Sequence, residues 1–358
     1  MTKLRVAVIF GGKSGEHEVS IASAASICKY LDPSRYEAVP IKIEKDGRWM
    51  LAGDVPKAIS AAEVHRQAST TALQAIDPTT TLTAGGIDVV FPVLHGPYGE
   101  DGTVQGLLEL ANVPYVGAGV LGSAVGMDKA VMKTLFLAGG LPVARYLVVL
   151  RPEWTRDADG VTARVEHDLQ FPVFVKPANL GSSVGISKAK SPAEFSEAMT
   201  LALQYDRKIV IEAAVPQARE IECAVLGNDE PQASVPGEII PLREFYDYEA
   251  KYLDANGSRL EIPAVISEAQ TAEIRRLAIA AFRACDLSGL ARVDFLMVRD
   301  TGETFVNEVN TLPGFTTISM YPKLWEASGL PYPQLLDRLL TLAVERHREK
   351  QQLRTSLT

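Results

Sequence analysis

The sequence has 358 residues, of which 47% are hydrophobic and 22% are charged, as is typical of soluble globular proteins. This length exceeds one ordinary hydrophobic core, so we expect two or three domains. The formal net charge is -8, and basic residues are interspersed with acidic ones. This pattern argues against a nucleic-acid-binding protein, which would need clustered lysine and arginine.

The cysteines and the apolar stretches indicate a cytoplasmic protein that does not enter a membrane. The three cysteines are far apart and offer neither a disulfide framework nor metal-ligand spacing. No signal peptide is recognisable, which fits a reducing cytosol. One uncharged stretch, Leu110 to Met127, is interrupted by Pro114 and several glycines. We interpret it as turns and buried packing, because it barely reaches the length of a membrane span.

The first third of the sequence alternates predicted strands and helices. The predicted elements are a strand at 4–10, a helix at 16–30, a strand at 36–43, a helix plus a loop within the Ala- and Thr-rich residues 52–84, a strand at 88–93 and a helix from about 101. This alternation predicts a parallel sheet covered by helices. Residues 1–121 are therefore expected to form an α/β domain.

From residue 121 the pattern becomes richer in strands. The predicted elements are helices at 124–138, 192–204 and 268–285, and strands at 143–150, 171–176, 209–212, from 220, at 291–298 and at 304–309. We therefore predict an α/β and α+β protein with further domains at 122–214 and 215–358.

Two glycine motifs resemble nucleotide-binding signatures. Gly12-Lys13-Ser14 lacks the earlier glycine of a P-loop, because Ala7 stands at that position. Residues 117–122 match G-x-G-x-x-G, which leaves an NAD-dependent dehydrogenase as an alternative. However, the preceding strand is very short, and no acidic residue ends a second strand about 20 residues later. Helix packing and turn formation explain these glycines better.

A stronger signal is the segment 174–186, in which Lys176 closes a predicted strand and a small, hydroxyl-rich loop follows. Glycines allow the backbone to approach a phosphate, while serine hydroxyls and free N–H groups donate to its oxygens. The segment therefore predicts a phosphate-binding loop. A β-hairpin with a flexible tip is the structural alternative.

A second signal lies in two C-terminal strands, where Arg292 and Asp294 share one face, as do Glu308 and Asn310. If the strands pair as a hairpin, Asp294, Glu308 and Asn310 place hard oxygen ligands together, as Mg²⁺ prefers. Arg292 beside them could bind a developing anion. A half-exposed hairpin with solvated charges is the alternative.

Three further residues are weaker candidates when each is considered alone. Glu16 lies in the first turn of a helix, where the helix dipole already favours an acid. His95 follows a strand at the sheet edge where open α/β sheets bind ligands, although loop histidines are often merely solvated. Lys129 lies among aliphatic residues on a predicted helix and would ordinarily be exposed.

Taken together, these residues resemble the ATP-grasp ligases and, within that superfamily, the D-alanine–D-alanine ligases. The matching segments occur in the family's order across almost the whole chain: 11–20, 95–102, 127–129, 176–185, 245–252, 292–294 and 307–320. The resemblance implies a three-domain ATP-grasp architecture and one role for each of the following residues. ATP would contact Lys129, Lys176, Ser183, Glu212, Ala213, Val215, Glu220, Phe245 and Lys251; two Mg²⁺ or Mn²⁺ ions would bind Asp294, Glu308 and Asn310; the substrates would contact His95, Gly314, Ser319 and Met320; and Glu16, Ser182, Tyr252 and Arg292 would be catalytic.

The resemblance further implies that the enzyme joins two D-alanine molecules through an acyl phosphate for peptidoglycan synthesis. His95 would lie near the first substrate's carboxylate, and Tyr252 favours D-alanine as the second substrate. A D-alanine–D-lactate ligase, another ATP-grasp carboxylate–amine ligase and an inactive nucleotide-binding regulator stay open as alternatives. The resemblance also suggests a homodimer.

Overall fold

A computed structural model describes residues 3–58, 60–66, 73–241 and 258–354, and these residues form three β-sheets. Helices pack on the sheets, and one cavity is lined by the second and third sheets and by segments that follow strands of the first. Within these ranges, no helix combines the length and the apolarity that crossing a membrane requires.

The first sheet has a parallel centre, as predicted. Its strands, in the order β4-β3-β2-β1-β5, are β1 (Leu4–Gly11), β2 (Tyr36–Ile43), β3 (Trp49–Ala52), β4 (Leu73–Ala75) and β5 (Val89–Val93). β1 runs parallel to both β2 and β5, and its apolar run from Val6 to Ile9 is fully buried because helices cover both faces. The accompanying helices are α1 (His17–Tyr30), α2 (Ala61–Arg66), α3 (Pro78–Ala84) and α4 (Thr103–Leu110).

The prediction for residues 52–84 was incomplete. This stretch contains α2, α3 and the short strand β4, and β4 extends the sheet by pairing antiparallel with β3. The three residues of β4 are too few to show an alternating pattern, so its sequence does not distinguish it from a loop.

The single helix predicted at 124–138 was wrong, because Asp128 divides it. The two helices are α5 (Val120–Met127) and α6 (Lys129–Ala138). Asp128 has extended backbone angles, and its carboxylate accepts the N–H groups of Ala130 and Val131, each at 3.1 Å. It is therefore the N-cap of a new helix. The change in direction buries Lys129, which is only 7% exposed rather than solvated.

The second sheet is antiparallel and has its own hydrophobic core. In the order β6-β9-β7-β8, its strands are β6 (Tyr146–Leu150), β7 (Val173–Pro177), β8 (Ser187–Ala189) and β9 (Lys208–Ala213). Its helices are α7 (Arg151–Arg156), α8 (Ala158–Asp168) and α9 (Pro192–Ala202). Phe195 of α9 is fully buried against the sheet. The helices α7 and α8, between the first two strands, were missed by the sequence analysis.

The third sheet is also antiparallel and contains the predicted hairpin. Its strands are β10 (Ala218–Gly227), β11 (Gln232–Ala233), β12 (Gly237–Pro241), β13 (Ser258–Glu261), β14 (Gly289–Val298) and β15 (Thr304–Asn310), and its helices are α10 (Glu268–Ala284), α11 (Met320–Ala327) and α12 (Tyr332–Gln351). α6 and α10 belong to the core on one face. On the other face, Leu290 and Leu336 share a core with Val8 and Phe91 of the first sheet. The first and third sheets are thus packed together.

The glycines of residues 117–122 serve packing. Gly117 has a left-handed backbone (φ +101°), and a Cβ atom there would lie 3.1 Å from Leu312. A Cβ atom on Gly122, within α5, would lie 2.5 Å from the carbonyl oxygen of Asp286. The interpretation of these glycines as packing and turn residues is therefore confirmed.

Replacing Gly122 with alanine should destabilise the protein by about 1–3 kcal/mol, because backbone atoms must move to admit the methyl group. Gly106→Ala in α4 is the matched control, since a Cβ atom there meets nothing within 4 Å. We expect it to stabilise the helix by about 0.5–1 kcal/mol. Urea denaturation of both variants measures the difference, and equal stabilities would refute the packing argument.

Candidate active site

A cavity of about 740 Å³ is bounded by residues of the second and third sheets and by residues that follow strands β1 and β5 of the first sheet. Most of the residues that the sequence analysis selected line it: Glu16, His95, Lys176, Ser182, Ser183, Glu212, Ala213, Val215, Glu220, Arg292, Asp294, Glu308, Asn310, Gly314, Ser319 and Met320. Phe245, Lys251 and Tyr252 lie outside the described residues. The cavity therefore brings together groups that are far apart in sequence.

Lys176 lines the cavity, and two further buried lysines, Lys129 and Lys133, contact carboxylates that line it; we call these three lysines the lysine wall. Lys176, at the end of β7, lies 2.9 Å from the Glu212 carboxylate of β9, and Lys133 of α6 lies 3.2 Å from the same group. Burial alone would raise the pKa of Glu212, but the two ammonium groups lower it below its ordinary value. Burial lowers the pKa of Lys133. Lys133 was missed by the sequence analysis, since nothing in its helix distinguishes it from a surface lysine.

The loop at 181–185 contacts Glu16, the N-cap residue of α1. Ser182 and Ser183 both have left-handed backbone angles, with φ of +51° and +60°. The Ser182 hydroxyl donates to the Glu16 carboxylate, and a Cβ atom on Gly181 would lie 3.2 Å from Glu16 Oε2. Glycine at 181 therefore permits this close approach. The contact between Glu16 and Ser182 joins two residues of the proposed catalytic set.

The opposite wall is the hairpin of β14 and β15, which pairs as predicted. Asp294 lies opposite Glu308, and Arg292 lies opposite Asn310. Arg292 donates to both oxygens of Asp294 at 2.7 Å, and the Asn310 amide donates to Asp294 at 2.9 Å. These groups are partly buried and compensate one another's charge, which contradicts the alternative of merely solvated charges.

A β-bulge in this hairpin brings in one more group. The register shifts after Asp294, so that Phe295 pairs with Val306 and Asn307 is the extra residue. Val306 and Val309 face the core, which turns both Asn307 and Glu308 toward the cavity. Strict alternation would have placed Asn307 on the opposite face, which is why the sequence analysis missed it.

The lysine wall and the hairpin are also in direct contact. Lys129 donates to the carbonyl oxygen of Leu180 at 2.6 Å and lies 3.4 Å from the Glu308 carboxylate. Lys176 lies 3.4 Å from the Asn307 side-chain oxygen. In the described part of the chain, no three His, Cys, Asp or Glu side chains are grouped as a metal site. The oxygen ligands of the hairpin are two carboxylates with amides, a hard donor set that fits Mg²⁺.

The far end of the cavity is formed by the loop after β5. His95 is 6% exposed, and its Nδ1 atom lies 2.9 Å from the Leu312 carbonyl oxygen. Glu100 accepts the N–H of Gly96 at 2.7 Å. Burial, reinforced by Glu16, raises the pKa of Glu100 to about 8. Glu100 lies within a segment that carries the family resemblance, yet no role was assigned to it from sequence.

The segment after β15 supplies backbone groups and a hydroxyl. Gly314 and Met320 line the cavity, and Ser319 is the N-cap residue of α11. The Ser319 hydroxyl accepts the N–H of Thr316 at 3.0 Å instead of capping the helix with its side chain. The first N–H groups of α11 are thus available to an anion.

Comparison with known proteins shows relatives that match almost the whole chain. The family model described as "D-ala D-ala ligase N-terminus" matches residues 5–118, and "D-ala D-ala ligase C-terminus" matches residues 135–341. The D-alanine–D-alanine ligase of Heliobacterium modesticaldum is 54% identical over 98% of this chain and 97% of its own. The ligase of the same name from Geobacillus kaustophilus is 51% identical, with the same coverage.

Solved structures give the same result. The D-alanine–D-alanine ligase from Coxiella burnetii superimposes with a TM-score of 0.82 at 40% identity and covers 98% of both chains. The VanG D-Ala:D-Ser ligase from Enterococcus faecalis gives 0.83 at 34% identity, covering 96% of this chain and all of its own. The fold is thus that of the ATP-grasp enzymes. Within them, the chain belongs to the D-alanine–D-alanine ligase family.

Replacing Glu212 with glutamine should cost about 3–5 kcal/mol of unfolding free energy, because it leaves two buried lysines without their shared counterion. Glu273→Gln is the control, since Glu273 forms an exposed ion pair with Arg276. That change should cost at most about 1 kcal/mol. Guanidinium denaturation measures both, and a loss in Glu212→Gln no larger than in the control would refute the arrangement.

Proposed function

We propose that the protein joins two D-alanine molecules at the expense of ATP, forming D-alanyl-D-alanine for peptidoglycan precursors. The observation that carries the proposal is the cavity in which the lysine wall faces the oxygen-rich hairpin. A triphosphate needs both cations along its oxygens and ligands for its metal ions. The names and full-length coverage of the relatives support the choice of substrates.

ATP would lie between the second and third sheets. Lys129 and Lys176 would contact its phosphates, and the backbone N–H groups near Ser183 would cover them. Glu212 and Ala213 at the end of β9, together with Val215 just after it, would present backbone groups to adenine. Glu220 would bind the ribose hydroxyls. The Glu212 carboxylate accepts a hydrogen bond from Lys176. Phe245 and Lys251 are assigned to ATP by the family resemblance alone.

Asp294, Glu308 and Asn310 would hold two Mg²⁺ or Mn²⁺ ions. When bound, these ions would neutralise the negative charge of the phosphoryl group during its transfer. Asp294 is engaged by Arg292 through both carboxylate oxygens, so the guanidinium would share this ligand with a cation. Arg292 would therefore orient Asp294 as well as act on the substrate.

The reaction would proceed in two steps. The carboxylate of the first D-alanine attacks the γ-phosphate and forms an acyl phosphate and ADP. The amine of the second D-alanine then attacks the acyl carbon and displaces phosphate. Arg292 and the backbone N–H of Gly314 would donate to the oxyanion of the tetrahedral intermediate.

The remaining site residues would position the two substrates. Glu16 would bind the ammonium of the first D-alanine, next to its contact with Ser182. Ser319 and the N–H of Met320 would receive the carboxylate of the second. Tyr252 would complete the network with Glu16 and Ser182 and would favour D-alanine over D-lactate.

The wider assignments are also proposals. Three separate sheets support the division into domains 1–121, 122–214 and 215–358. The family resemblance supports a homodimer, and the use of ATP to make a peptidoglycan precursor supports a location in the cytoplasm. Neither nucleic acid nor a membrane is expected as a partner.

Phosphate release from ATP tests the function directly. Release should require D-alanine and Mg²⁺, and L-alanine should give only background. Arg292→Ala should lower kcat about 100- to 1000-fold, as expected when one donor to an oxyanion is removed. Arg292→Lys is the matched variant, since it keeps the charge but not the two-pronged contact with Asp294. Equal release with D-alanine and L-alanine would refute the proposal.

A further inference from the structure

The ring of His95 is held in one orientation by the segment that follows β15. Its Nδ1 atom lies 2.9 Å from the carbonyl oxygen of Leu312. A carbonyl oxygen can only accept, so Nδ1 must carry the hydrogen. In the neutral ring, Nε2 then has a free lone pair and is an acceptor.

This acceptor is buried and faces the cavity. His95 is 6% exposed and lines the cavity, and its Nε2 atom has no hydrogen-bond partner among the described residues. A buried acceptor without a donor costs free energy, so its partner is expected to come from a ligand. The first substrate's carboxylate, which the family resemblance places near His95, could not donate to this nitrogen of the neutral ring, because a carboxylate also only accepts. An ammonium group could.

The surroundings also favour a cationic amine. Glu16 and Glu100 both face this end of the cavity, and a Cβ atom on Gly181 would lie 3.2 Å from Glu16 and 3.9 Å from Glu100. The carboxylate of Glu16 attracts a positive charge, whereas Glu100, whose pKa is raised to about 8, is mainly protonated at neutral pH. Leu312, which orients the ring, is two residues before Gly314, the proposed donor to the oxyanion. The ring is thus held by the same segment that carries Gly314, Ser319 and Met320, the proposed contacts of the oxyanion and of the second substrate.

We infer that His95 Nε2 is the base that accepts a proton from the ammonium group of the second amino acid as it attacks the acyl phosphate. This inference rests on the proposed function and adds the proton acceptor to it. The arrangement follows the general pattern of a base that is oriented through its other ring nitrogen.

The step balances as follows. The ammonium nitrogen gives one proton to Nε2, and its lone pair forms the C–N bond with the acyl carbon. The C–O bond to the phosphoryl group then breaks, and inorganic phosphate leaves with the second proton from that nitrogen. The amide keeps the third hydrogen. His95 returns its proton to water after the product leaves.

Hydroxylamine separates this role from simple substrate positioning. It is largely uncharged at neutral pH, so it can attack an acyl phosphate without help from a base. Reactions would contain ATP, Mg²⁺, D-alanine and hydroxylamine, and both D-alanyl hydroxamate and D-alanyl-D-alanine would be measured. In His95→Gln the ratio of hydroxamate to dipeptide should rise about 100-fold or more, the usual contribution of a general base.

His95→Asn is the second variant, because its amide can still donate toward Leu312. The same rise in the ratio is expected in this variant. In the wild type, kcat for dipeptide at saturating D-alanine should also fall at acidic pH as Nε2 becomes protonated. Burial lowers the pKa of His95, so this fall should lie below the ordinary histidine value. Glu16, Glu100 and Lys129 are the other titratable groups nearby, and they persist in both variants. The fall of kcat at acidic pH should nevertheless be lost in the variants, because it depends on His95.

The outcomes can be told apart. If both products decline together in the two variants, or if the acid limb persists in them, His95 only positions the substrate and the inference is wrong. If the wild-type enzyme forms no ATP-dependent hydroxamate at all, the proposed acyl phosphate itself is refuted.

Discussion

Charge compensation across the cavity is the constraint on which the rest of the structure depends. The lysine wall comes from α6 and β7, and the carboxylates come from β9 and the β14–β15 hairpin. None of these charges would be tolerated at such depth alone. Because each partner sits on a different element, the charges fix how the second and third sheets face each other. The same arrangement supports the proposal that cations on one side bind phosphate oxygens and oxygen ligands on the other bind a metal ion.

The substrate end of the cavity depends on a different set of contacts. The loop that contains His95 and Glu100 belongs to the first sheet, while Leu312 and Gly314 belong to the segment after β15. The hydrogen bond from His95 to Leu312 connects the two. The shared core of the first and third sheets keeps this connection in place. By contrast, the second sheet has a separate core and reaches the first sheet through the contact between Ser182 and Glu16. The groups proposed to act on the substrates are thus held by the two sheets that share one hydrophobic core.

Much of this could be predicted from the sequence, because the signals were local or repeated with a known period. Buried parallel strands such as β1 appear as continuous apolar runs, and the faces of β14 and β15 follow from alternation. What could not be predicted depends on tertiary contacts. Asp128 breaks a continuous helical pattern by capping, which decides whether Lys129 is exposed or buried. The bulge at Asn307 overrides alternation, and Lys133 acquires its role only from Glu212, about 80 residues away in sequence.

Diffraction from crystals grown with ATP and Mn²⁺ tests the central claim most directly, since anomalous scattering locates the manganese. We predict manganese bound to Asp294, Glu308 and Asn310, with the phosphates of ATP between these ligands and the lysine wall. Manganese bound elsewhere, or a nucleotide whose phosphates do not contact Lys129 and Lys176, would contradict the account.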